Sequence, residues 1–215
     1  MQEFLIITGI VVKTVPIGEF DRRVVILTRE RGKISAFAKG SRRPNSSLVA
    51  ATNPFSFGEF KLYQGKTSYH IMEADISNYF AQLRRDFEGA YYGMYFLEVA
   101  DYYARENNDE RELLKLMYQS LRALSVPSLS KQLVRYIFEI RAMVANGEFP
   151  GIPKEEHFLE STEYAVSFII NTNIEHLYTF TVTDEVLQEL RYIANVYRRK
   201  IWDKNFKSLE IIEHL

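Results

Sequence analysis

The hydrophobic period of this 215-residue chain changes once, at Tyr79–Leu83, and that switch limits what each side can fold into. Before it, from Phe4 to Ser77, short apolar runs rich in Val, Ile, Phe and Tyr are broken by Gly, Pro, Asn and Ser, a pattern of strands and turns. We read strands at Phe4–Val15, Arg22–Arg29, Lys33–Lys39, Pro54–Gln64 and Thr67–Ser77, with Gly40–Asn53 as a loop. Gly32 and Gly65 are placed to supply the positive φ of tight hairpins. Alternation along the last strand sets His70, Met72, Ala74 and Ile76 on one face and Ile71, Glu73, Asp75 and Ser77 on the other. Five short antiparallel strands within residues 1–78 predict a small closed barrel, for which the five-stranded OB-fold is the natural candidate.

From Phe80 onward the apolar step becomes four and three. Leu83, Phe87, Ala90, Met94 and Leu97 form one stripe, and Tyr91, Tyr95 and Tyr102 add a second flank. A helix apolar over so much of its surface is expected between several neighbours. Further helices fit Glu110–Leu124, Ser130–Ala145, Thr162–Asn171 and Asp184–Trp202. Thr183 suits the N-cap of the last, with Asp184 and Glu185 favourably placed in its first turn. Gly147, Pro150, Gly151 and Pro153 punctuate the series. The expected architecture is an α+β chain of two domains: a barrel over residues 1–78 and a helical bundle over residues 79–215. Phe80, Leu83 and Phe87 are expected to pack back against the barrel.

Absent residue types exclude several chemistries. The chain has no cysteine, which removes disulfides, Cys-ligated zinc, iron–sulfur clusters and thiol catalysis. His70, His157, His176 and His214 lie far apart, with no pair at helical spacing, so neither a metal nor a cofactor is expected. No glycine-rich phosphate cradle and no Gly-x-Ser-x-Gly elbow occurs, so the chain does not read as an enzyme. The best acidic pair, Glu73 and Asp75, shares a strand face and suits Mg²⁺, though carboxylates on a strand face are usually just solvated. The apolar run Phe4–Val12 is far short of the ~20 residues that span a bilayer, and it follows Glu3 rather than a basic segment. A soluble, cytoplasmic protein is the expectation.

Charge is distributed unevenly. Residues 1–78 hold 11 Lys/Arg against 7 Asp/Glu, while residues 79–215 hold 16 against 21. Arg22 to Arg43 alone carries eight basic residues and one acid, Glu30, which points to an anionic partner. Arg42 and Arg43 sit in the loop Ser41–Ser47 among hydroxyl and amide donors, a composition suited to phosphate oxygens. By charge and placement, Lys13, Arg22, Arg23, Lys39, Arg42 and Arg43 are the expected contacts to the phosphates of such a partner. Arg29, Arg31 and Lys33 flank the opposite hairpin and read as solvated or as contacts to a protein. Of Phe37, Phe55, Phe57, Phe60, Tyr63 and Tyr69, a small barrel needs most for its core, leaving one or two to stack on bases.

The stretches GIVVKTVPIGEFDRRVVILTRERGKISAFAKGSRRPNSSL and ATNPFSFGEFKLYQGKTSYHIMEADI resemble the barrel of the bacterial recombination mediator family RecO. The run FTVTDEVLQELRYIANVYRRKIWDKNFKSLEII is similar to that family's closing helix and its Lys-Ser-Leu ending. The resemblance implies an N-terminal OB-fold, a helical C-terminal domain, binding of single- and double-stranded DNA, and annealing of complementary strands. It also implies cooperation with RecR and RecF in loading RecA onto DNA coated by single-strand-binding protein, whose acidic, hydrophobic tail family members bind. Arg122, Arg135 and Arg141 are the candidates to receive that tail's carboxylates, and ordinary surface salt bridges explain them at least as well. The rival readings are an adaptor of the same pathway that binds no DNA, and a metal-dependent nuclease built on Glu73 and Asp75. Many RecO-like proteins carry a four-cysteine zinc module where this chain has Glu148–Glu163, without cysteine and with only His157. The purified chain is therefore expected to carry no stoichiometric zinc and to melt at the same temperature with and without chelator. About one zinc per chain by elemental analysis would contradict this.

Overall fold

The computed structural model describes residues 4–154 and 156–214. Five strands, β1 (Phe4–Ile17), β2 (Asp21–Thr28), β3 (Gly32–Ala38), β4 (Phe57–Gln64) and β5 (Tyr69–Asn78), close into a barrel in the order β1-β2-β3-β5-β4. All pairings are antiparallel except β3–β5, which is parallel and departs from the all-antiparallel expectation. The short helix α1 (Leu48–Ala51) lies within the segment expected to be loop. Helices α2 (Ala81–Arg85), α3 (Phe87–Tyr103), α4 (Arg111–Ala123), α5 (Lys131–Ala145), α6 (Glu160–Asn171), α7 (Asp184–Ile201) and α8 (Lys207–Ile212) follow.

The chain forms two compact units. One takes the chain up to Arg85 together with Phe96–Leu114; the other takes Asp86–Tyr95 and the chain from Lys115. In the first, Ile7, Val11, Val24, Ile26, Ile34, Ala36, Phe60 and Leu62 fill the barrel. Alternation explains most of this, with two corrections. The pairings Lys61↔Glu73 and Leu62↔Ile71 leave Met72 as an extra residue in β5. That bulge moves Ile71 inward to join Ala74 and Ile76 and leaves His70, Glu73 and Asp75 outside, unlike the face expected from strict alternation. β4 begins at Phe57 rather than Pro54, because Phe55 takes a left-handed φ of 72° that no strand tolerates.

The turn between β2 and β3 depends on Gly32. Its φ is +63°, as expected, and a Cβ there would lie 2.3 Å from the Arg105 carbonyl oxygen. Gly65 does not share the left-handed backbone; its N–H donates to Ser68 O at 2.9 Å instead. Beside Gly32, Lys33 N donates to Arg105 O and Asn107 N to Arg31 O, both at 2.9 Å. Lys33 Nζ reaches Asp101 O at 2.6 Å and Asp101 Oδ1 at 3.1 Å. Lys33 thus anchors the end of α3 within the barrel unit and is not a free surface cation.

The helical unit starts with a break the periodicity did not signal. Asp86 Oδ1 accepts from Gly89 N at 3.0 Å and starts α3 separately from α2. That N–H and the neighbouring Lys131 ammonium, 3.1 Å away, hold the Asp86 carboxyl below its ordinary range. Phe87, expected to be buried, is 67% exposed and lies edge-on to Tyr91. α5 runs through the centre, with Leu133, Val134, Ile137, Phe138 and Ile140 buried. Its polar residues Arg135 and Glu139 are buried too: Glu139 Oε1 accepts from Arg135 Nε and from Tyr95 Oη, each at 2.7 Å. Burial, then the Glu139 charge, pushes the Tyr95 hydroxyl well above its ordinary value. Aromatic pairs join the segment after α5 to α7: Phe149 with Tyr197 at 5.1 Å and Phe158 with Tyr192 at 6.2 Å.

Removing one partner of a buried, hydrogen-bonded ion pair strands the other. Glu139→Ala is therefore expected to lower unfolding stability by about 3–5 kcal/mol, read as a lower urea midpoint. A midpoint unchanged from the parent chain would show that this network does not hold the helical unit together.

Candidate nucleic-acid interface

The basic residues of the barrel separate by strand alternation. On β2, Val24 and Ile26 face the core, so Arg22 lies on the inner side at the barrel mouth and Arg23 on the outer face. Arg22 is half-buried. Its Nη1 donates to Val49 O at 2.8 Å and to Thr52 Oγ1 at 2.7 Å, tying α1 across the mouth. Thr14 Oγ1 donates to Thr52 O at 2.6 Å and completes the tie. Burial first, then the Arg42 charge, lowers the Arg22 pKa. Arg22 thus has a positioning role at the barrel mouth, unlike the other five expected contacts.

The loop after β3 is joined to the β1–β2 turn. Gly40, at φ +66°, donates its N–H to Asp21 Oδ1 at 2.7 Å. Arg42 N donates to Phe20 O at 2.9 Å, and Arg42 Nη1 to Gly18 O at 3.2 Å. The Arg43 guanidinium sits 5.1 Å from the centre of the Phe20 ring, a cation–π contact that holds it extended over the turn. Both guanidinium groups remain exposed, and neither forms an ion pair with a carboxylate among the described residues.

Three more cations lie on or beside the same outer surface. Arg23 stands opposite Val15 on β1 and Phe37 on β3, Lys13 stands opposite Val25, and Lys39 directly follows β3. Lys13 is therefore a diagonal neighbour of Arg23. All three are exposed and unpaired among the described residues. Of the six expected contacts, the structure brings Lys13, Arg23, Lys39, Arg42 and Arg43 to one side of the barrel and turns Arg22 to its support.

The aromatics also separate. Phe60 fills the core, Phe55 is buried and Tyr69 packs against the core, whereas Phe37 and Tyr63 lie on the outer face. Glu73 and Asp75 lie outside as well, but Lys61 Nζ pairs with Glu73 Oε1 at 2.9 Å. Among the described residues no three His, Cys, Asp or Glu side chains group as a metal site. Two candidate tail contacts in the helical unit bond within it, one buried and one half-buried. Arg135 is buried against Glu139, and Arg141 Nη1 donates to the Ile170 and Ile169 carbonyls at the end of α6. Arg122 stays exposed, with Gln119 Oε1 3.4 Å away.

A closed five-stranded barrel of this strand order is an OB-fold. Family models described as recombination protein O N terminal and recombination protein O C terminal match residues 1–80 and 84–153. A DNA repair protein RecO of Acetivibrio thermocellus is 30% identical, the match covering 100% of this chain and 98% of the relative. A DNA repair protein RecO of Clostridium novyi is 26% identical over 96% of this chain and 93% of its own length. The chain belongs to the RecO family, and membership supports a role in DNA repair and recombination. No helix among the described residues is long and apolar enough to cross a membrane.

Arg22→Met is expected to destabilise the barrel by about 1–3 kcal/mol, because Val49 O and Thr52 Oγ1 lose a charged donor. A urea titration with an unchanged midpoint would return Arg22 to the set of free surface cations.

Proposed function

We propose that this chain is a non-catalytic recombination mediator that binds DNA through the outer face of its barrel and anneals complementary strands. With RecR and RecF it helps load RecA onto DNA coated by single-strand-binding protein. The observation that carries the reading is the set of five exposed cations, Lys13, Arg23, Lys39, Arg42 and Arg43, that pair with no carboxylate among the described residues. Cations left unpaired by the protein are free to replace the counterions of phosphates. Guanidinium forks on a short loop match phosphate oxygens without reading base identity. Neutralising two strands raises their local concentration and reduces their repulsion, so annealing needs no nucleotide hydrolysis and no chemical step. Exposed Arg122 is the remaining candidate for a carboxylate of the single-strand-binding-protein tail.

Neutralising Lys39, Arg42 and Arg43 together is expected to weaken binding to every DNA sequence about equally. Each single-strand phosphate contact contributes about 0.7 to the slope of log K against log salt, so the slope should fall by about 2. Annealing should fall with it, and the melting temperature should stay near that of the parent because these side chains are exposed. Glu73→Gln and Asp75→Asn should leave annealing intact. Wild-type affinity and slope in the triple variant would favour the adaptor reading.

A further inference from the structure

Barrel register brings four rings into one row that the sequence does not reveal. Phe37 stands opposite His70 across β3–β5, His70 opposite Tyr63 across β5–β4, and Tyr63 opposite Phe4 across β4–β1. The neighbours Ala36, Ala38, Ile71 and Leu62 point into the core, so all four rings lie on the outside. Their centroids are 5.7, 6.3 and 6.4 Å apart in that order, and the Phe37 and His70 rings are inclined by only 30°. None is buried, and Phe4 is 48% exposed. The core does not need them, since it closes on other side chains.

Cations stand at both ends of the row. Arg23 is the cross-strand neighbour of Phe37, and Lys61 Nζ lies 5.4 Å from the centre of the Phe4 ring. Ser68 Oγ, 3.2 Å from His70 Nε2, fixes the middle of the row. The row is thus continuous, through Phe37 and Arg23, with the phosphate-binding face proposed above.

We propose that Phe37, His70, Tyr63 and Phe4 form a stacking track for the unpaired bases of a single nucleic-acid strand. The proposal rests on the DNA-binding reading and adds which part of the strand is held. Aromatic faces accept any base, so the track is sequence-tolerant. A duplex offers no free base faces along its length, so the track selects single strands. A base held by its face also keeps its hydrogen-bonding edge free. A complementary strand can then pair with a strand still bound to the track, and annealing proceeds on the protein.

The test compares two probes on the full chain: an oligothymidine and an abasic oligonucleotide of equal length and charge. Oligothymidine is expected to bind at least tenfold more tightly, with the same salt slope, because the phosphate contacts are common to both. In a Phe4→Leu, Tyr63→Leu double variant that melts like the parent, oligothymidine binding should weaken at least fivefold per lost ring, at about 1–3 kcal/mol per stacked base. Abasic binding and the salt slope should not move. Equal binding of both probes by the unmodified chain overturns the track and leaves the phosphate reading standing. Failure of both probes to bind overturns the two together. A double variant that keeps oligothymidine affinity but loses association with RecR would make the row a protein-docking surface and overturn the proposal.

Discussion

Closure of the barrel depends on β1 serving two neighbours at once. Its later residues pair with β2 and its earlier ones with β4, and Gly9 and Ile10 belong to both ladders. A strand that turns from one partner to the next must bend sharply, and glycines stand where the backbones come closest. A Cβ at Gly9 would lie 2.4 Å from Leu27 O, and one at its cross-strand partner Gly58 would lie 2.1 Å from Asp75 O. A bulge between Val11 and Lys13 completes the bend by adding local twist. The ring row proposed for the outer surface follows from this closure. Without it Phe4 does not meet Tyr63.

The same geometry divides labour among similar side chains. Arg22 and Arg23 are adjacent in sequence, yet one ties α1 across the barrel mouth and the other faces outward. Loop arginines are useful for binding only if the loop is placed, and the bonds from Gly40 to Asp21 and from Arg42 to Phe20 and Gly18 place it. Positioning therefore draws on Arg22, Asp21 and one bond of Arg42, and leaves the Arg42 and Arg43 guanidinium groups exposed. Within the helical unit, Glu139 plays the comparable internal role, drawing Arg135 and Tyr95 into the core.

Much of this was legible in the sequence. Period two and period 3.6 separate cleanly, and the strands and main helices fall within a few residues of where the patterns put them. The basic loop was legible too, because charge density is local. What was hidden depends on partners distant in the chain. The Met72 bulge reverses the face of half of β5, and only pairing with β4 reveals it. The burial of Arg135 follows from Glu139 one turn on and from Tyr95 in another helix, so charge alone read it as surface. The break at Asp86 was masked by an apolar stripe that continues across it. The ring row is the clearest case: Phe4, Phe37, Tyr63 and His70 come from four strands, and no spacing within one segment brings them together.

The central claim is that single strands lie on the outer face of the barrel, with phosphates on its cations. Photocrosslinking an oligonucleotide that carries photoreactive bases, followed by mass-spectrometric mapping of the adducts, tests it most directly. Adducts on the peptides that carry Phe37, Tyr63 or His70, lost at high salt, are the expected result. Adducts confined to the helical unit, with the barrel peptides unmodified, would contradict the account.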